Sequence, residues 1–220
     1  MVDGTTSSGP ERPKPRLRGR LHEVAFFVSL PAGLVLVLSA SGPKAMTAAA
    51  IYWLALSSQF GVSAAYHLGM WSEVGRDRMR TLDHATIFVL IAGTYTPFCL
   101  LVLQGAAAIV VLVIVWTGAA VGIATKLYRV DLHVVSGFLY LGLGWVAVIV
   151  FPALVRELST TELALMIAGG LLYSAGALVL ALHRPNPWPR TFGYHEVWHA
   201  ATIGAATCLY AAIHSVLLAT

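Results

Sequence analysis

Long apolar runs separated by short polar breaks make up most of this chain. A helix of roughly 20 apolar residues crosses a bilayer core about 30 Å thick. Seven such helices are predicted, near residues 24–40, 46–68, 82–103, 106–124, 134–152, 163–182 and 195–218. The breaks read SGPK at 41–44, MWSEVGRDRMR at 70–80, QG at 104–105, TKLYRVDLH at 125–133, VRELSTTE at 155–162 and HRPNPWPRTFG at 183–193. The QG break is predicted to be a tight turn. Without it, one helix from 82 to 124 would be about twice as long as the bilayer core is thick.

Composition turns this pattern into a class. The chain of 220 residues is 58% hydrophobic and 11% charged, with mean hydropathy +0.77. A soluble domain carries about 25% charged residues, so an all-α, seven-transmembrane helix bundle is expected. Residues 1–20 read as a disordered basic tail and 21–220 as one membrane domain. The tail lacks the apolar core of a secretory signal. No internal repeat of the transporter type is present, and no phosphate loop or dinucleotide fingerprint. Cys99 and Cys208 fall in apolar runs and are expected as free, buried thiols.

The charge sets an orientation. With the N-terminus in the cytoplasm, the inner segments hold Arg12, Lys14, Arg16, Arg18, Arg20, Arg76, Arg78, Arg80, Lys126, Arg129, Arg184 and Arg190. The outer segments hold Lys44 and Arg156. That bias is the positive-inside pattern, and it puts the C-terminus outside. The net charge of +4 therefore reflects topology and not a nucleic-acid surface.

Ionisable groups within spans carry the functional signal, because each costs about 2.5–3.5 kcal/mol at the bilayer centre on insertion scales. The second span ends with Ser63 and His67, four residues apart and so on one helical face. The third opens with Asp83 and His84, and the seventh with His195 and His199, again four apart. The alternation of spans brings Ser63, His67, Asp83, His195 and His199 to similar depths on the cytoplasmic side. Three neutral imidazoles suit zinc and leave a fourth position for water, whose pKa the ion would lower to about 7. Asp83 could bind that water, or orient it and take its proton. Ser63 could bond a ligand or substrate.

Other polar groups read more blandly. His84 points about 100° away from Asp83 round the helix. His22, His133 and His183 sit in or beside basic loops and are expected to be solvated. His214 lies near the opposite end of the last span, and Glu23 reads as a helix-start carboxylate. Residues 195–199 also read H-E-x-x-H, a zinc-protease pattern that would make Glu196 a base. That reading leaves Ser63 and His67 idle.

Taken together, S-x-x-x-H at Ser63 and His67, L-D at Leu82 and Asp83, and H-x-x-x-H at His195 and His199 resemble the hemolysin III family. That family is grouped with progestin and adipoQ receptors and, more distantly, alkaline ceramidases. The resemblance covers about residues 18–218. It implies a seven-helix bundle and a Zn²⁺ held by His67, His195 and His199, with Asp83 hydrogen-bonding the zinc-bound water and Ser63 close by. It further implies a multi-pass protein of the cell membrane that meets membrane lipid as substrate or ligand. The expected function is zinc-dependent hydrolysis of a lipid amide or ester. The alternatives are a non-enzymatic receptor with structural zinc, a cytolysin and an intramembrane zinc protease.

Overall fold

The computed structural model describes residues 15–128 and 133–220. The expected tail at 1–14, and Arg129, lie outside the described residues. Among the described residues eight α-helices follow in order: α1 Arg20–Ser39, α2 Gly42–Leu68, α3 Glu73–Pro97, α4 Gly105–Leu127, α5 His133–Gly144, α6 Phe151–Glu157, α7 Thr160–Leu182 and α8 Tyr194–Ala219. A π-turn at Phe98–Val102 extends α3, and a 3₁₀ segment at Trp145–Val150 joins α5 to α6. Grouped this way, seven helical units are long and apolar enough to cross a membrane. No strand occurs among the described residues; a single isolated bridge pairs Trp188 with Phe192.

Helices form because a chain in hydrocarbon must satisfy its backbone within the segment. Their starts carry local signals. The Ser72 side chain accepts from Gly75 N at the head of α3. Ser159 and Glu162 form a reciprocal capping box on α7. In the fifth span the 3₁₀ segment interrupts the regular ladder. There the Tyr95 hydroxyl donates to Gly144 O (2.6 Å) and accepts from Ala147 N (2.9 Å). The break is thus satisfied from α3.

Sequence-adjacent helices pack on one another, and α8 closes against α1. The third span is central, with 67% of its most apolar stretch buried, against 11% for α7. Tyr52, Phe88, Leu36, Val115, Ala212 and Ile213 form much of the buried core. Outward-facing Phe27, Leu38, Ile109, Phe138 and Ile149 remain exposed. That apolar belt suits lipid contact and not water.

One boundary differs from the hydropathy pattern. α3 begins at Glu73, about nine residues before the apolar run, so Asp83 lies almost three turns into the helix and not in its first. Arg76, Arg78 and Arg80 propagate helix about as well as apolar residues do, and the Ser72 cap starts it early. Gln104 is extended before α4, so the QG turn lies where the pattern placed it.

Candidate metal centre

The end of the bundle that holds the start of α1, the end of α2 and the start of α8 gathers the histidines. His67 stands in the last turn of α2, and His195 and His199 in the first turns of α8. The i, i+4 spacing gives the α8 pair one face. His67 Nε2 lies 3.2 Å from His195 Nε2. One ligand nitrogen from each of His67, His195 and His199 falls within 4.8 Å of the others, a grouping that could hold a metal ion. Ligands about 2.0–2.1 Å from a tetrahedral zinc stand roughly 3.4 Å apart, so one pair already has that spacing.

Asp83 faces this group from α3. It is buried, and its side chain meets the Ser63 hydroxyl of α2, itself only 1% exposed. Asp83 Oδ1 is buried with no hydrogen-bond partner among the described residues. An unpartnered buried carboxylate oxygen is costly, and a water or ligand at the histidine trio would satisfy it. A cavity of about 180 Å³ opens beside the trio, lined by Arg18, Tyr66, His67, Arg76, Asp83, His84 and His195.

With this arrangement in place, comparison with known families is specific. The sequence profile described as "Haemolysin-III related" matches residues 11–210. The chain belongs to the haemolysin-III-related family. It is 30% identical over 193 residues to the "Hemolysin-3 homolog" of Bacillus subtilis (strain 168), covering 86% of this chain and 87% of that protein. It has the same identity over 193 residues to the "Hemolysin-3" of Bacillus cereus, covering 86% of this chain and 85% of that protein.

In this haemolysin-III-related chain, the structure adds residues to the site that hydropathy had left outside it. His22 is not solvated: it is 3% exposed. Because α1 already begins at Arg20, His22 occupies its first turn and turns inward. Its ring stacks on His199, with centroids 3.8 Å apart, and its Nε2 bonds Thr202 Oγ1 at 3.2 Å. Thr202 Oγ1 in turn donates to His199 O at 2.8 Å. The signal was present in the sequence. His22, Ala25, Ser29, Gly33 and Leu36 recur at helical spacing, and all are buried.

Residues 15–20 also depart from a disordered tail. Arg16 N donates to Arg190 O and Leu17 N to Thr191 O, both at 3.1 Å, which straps the segment to the turn before α8. Gly19 follows with φ +82°, and a Cβ there would stand 2.7 Å from His67 Cβ. Glycine therefore lets the strap pass directly over the site.

The strap delivers Arg18, whose Nε pairs with Glu196 Oε1. Glu196 is 1% exposed, and its Oε2 accepts from Gly193 N at 2.8 Å. Both carboxylate oxygens of the H-E-x-x-H glutamate are thus engaged. His84 lines the same cavity as Asp83 despite its different helical angle, and its carbonyl accepts from the Tyr140 hydroxyl at 2.9 Å.

The remaining groups lie elsewhere. His183 is exposed at the end of α7, and His214 bonds Ser39 Oγ at 3.3 Å at the opposite end of the bundle. Glu23 pairs with Arg20 at 2.7 Å in the first turn of α1. The exposure of His133 lies outside the described residues. Cys99 is buried and Cys208 half-buried, both free.

Proposed function

We propose that the chain is a zinc-dependent hydrolase of lipid amides or esters, set in the cell membrane with its N-terminus and this site at the cytoplasmic face. The observation that carries the reading is the histidine trio, two of whose members, His67 and His195, line one cavity with Asp83, a buried residue with an unpartnered carboxylate oxygen. The donor set fits zinc: three imidazoles, no thiolate, and room for an exchangeable fourth ligand. Zinc bound there would supply a Lewis acid that polarises a carbonyl and makes water a nucleophile near neutral pH.

The chain's own residues then divide the work. His67, His195 and His199 hold the ion. Asp83 Oδ1 is free to accept the proton of an attacking water and return it to the leaving amine or alcohol. The Ser63 hydroxyl, meeting the same side chain, holds the carboxyl in place. His22, itself held by Thr202, stacks on His199 and fixes the plane of its ring. The engaged Glu196 disfavours a protease reading, which needs that carboxylate free as a base.

The test uses detergent-purified protein and a panel of acyl amides and esters. Asp83→Ala and His199→Ala should each abolish turnover, and unchanged turnover in both would sink the hydrolase reading. A receptor or lipid-binding protein with structural zinc is the second reading, favoured by ligands that tie α2 to α8. In that case Asp83→Asn leaves ligand binding intact, and metal removal lowers the melting temperature without any product being formed. A cytolytic role stands lowest, since seven apolar spans hold the chain in its own membrane.

A further inference from the structure

The geometry points to an oxyanion subsite in the wall of this cavity, formed by Arg18 and Arg76, that takes the phosphate head of a lipid. The inference deepens the lipid reading of the site and rests on it.

Three observations carry it. First, the cavity is small. At about 180 Å³ it falls below the roughly 300–1,000 Å³ of pockets that enclose drug-sized ligands. It therefore admits a polar head and leaves acyl chains outside, against the apolar belt.

Second, the cavity wall is cationic. Two arginines line it against a single carboxylate, Asp83, which sits with the histidines. Among the described residues Arg76 has no ion pair, whereas Arg80, one turn on, is paired with Asp77 at 3.2 Å. Arg18 commits its Nε to Glu196, and that ion pair engages none of its other guanidinium nitrogens. A guanidinium fork matches the oxygens of a phosphate and binds it in bidentate fashion.

Third, Arg18 is held in place. Two backbone hydrogen bonds, from Arg16 N and Leu17 N, pin the strap immediately before it, and Glu196 anchors the side chain. A pre-organised cation loses less entropy on binding than a free surface arginine does. Tyr66 adds a phenol to the same wall. The shared chemistry is a phosphate oxyanion with unesterified terminal oxygens, whether carried on a lipid or free.

The test is binding to full-length, detergent-purified protein, read without turnover. The probes are dihexanoyl phosphatidic acid, dihexanoylglycerol and inorganic phosphate. Wild type should bind phosphatidic acid at least tenfold more tightly than the uncharged glyceride. Arg76→Gln should weaken that binding about tenfold, with zinc content and melting temperature unchanged. Arg80→Gln should leave it unchanged.

Arg18→Gln is the second variant, and loss of binding without loss of fold supports the same subsite. Preference for phosphatidic acid over inorganic phosphate assigns the subsite to a lipid head. Equal affinity supports the oxyanion subsite with soluble phosphate as its occupant. Equal affinity of wild type for phosphatidic acid and dihexanoylglycerol, or indifference to Arg76→Gln, overturns the proposal. Because binding is read separately from the turnover panel, a chain that binds phosphatidic acid through Arg76 yet hydrolyses nothing in that panel refutes the hydrolase reading and keeps this one.

Discussion

The ring of His22 lies flat on the ring of His199, with centroids 3.8 Å apart and planes 2° from parallel. One histidine is in the first turn of α1, the other in the first turns of α8. Stacking blocks one face of His199, and the Thr202 hydroxyl links the His22 ring to the backbone carbonyl of His199. Partners that orient a metal ligand are typically worth 10–100-fold in metal affinity. His22→Ala is therefore expected to weaken zinc binding by about that factor, measured by competition with a chelator. His22→Phe should recover the part due to stacking. Affinity unchanged in His22→Ala would show that the ring merely fills space.

The metal itself is the next expectation. Mass spectrometry on purified protein should find one zinc per chain, absent from the His195→Ala/His199→Ala double variant. Chelation should lower the melting temperature, because an ion that binds only the folded state stabilises it. A folded, monodisperse wild type without zinc would remove the basis of the hydrolase proposal.

Glu196 separates two readings of the same five residues. With its oxygens on Arg18 and Gly193, it serves as an anchor, so Glu196→Gln should cost stability, about 1–3 kcal/mol. Zinc content should be retained. If it were the base of a protease, Glu196→Gln would abolish turnover and leave the melting temperature unchanged.

Helix packing between α1 and α2 is predicted to be intolerant at Gly33. A Cβ there would stand 1.7 Å from Trp53 Cδ1, an impossible approach. Gly33→Ala must displace the indole and is expected to cost about 1–3 kcal/mol. Thermal unfolding in detergent measures it. A melting temperature equal to wild type would mean that the α1–α2 contact is looser than described.

Orientation is testable by labelling introduced thiols in intact cells. Ser72→Cys, at the head of α3 and beside the site, should be protected from a membrane-impermeant maleimide. Thr160→Cys, at the start of α7 and the opposite end of the bundle, should react. The reverse result would place the site on the outer face and refute the cytoplasmic assignment.

The seven spans and the Ser63/His67 and His195/His199 pairs were legible in the sequence, because length, hydropathy and i, i+4 spacing are local properties of a helix. Even the buried face of α1 was written there, as Leu36, Gly33, Ser29 and Ala25 at helical intervals running up to His22. Charge obscured two features. The basic, glycine-containing run at 15–20 resembled tail, and the charged run at 73–80 resembled loop, since polarity reports exposure to water and not the absence of helix.

Only the tertiary structure decided which of these residues meet. Arg18 and Glu196 are 178 positions apart, and His22 and Thr202 are 180 apart. Such pairings depend on how each helix is rotated about its axis and how deeply it is set against its neighbours. Those two degrees of freedom are determined by the packing of the whole bundle.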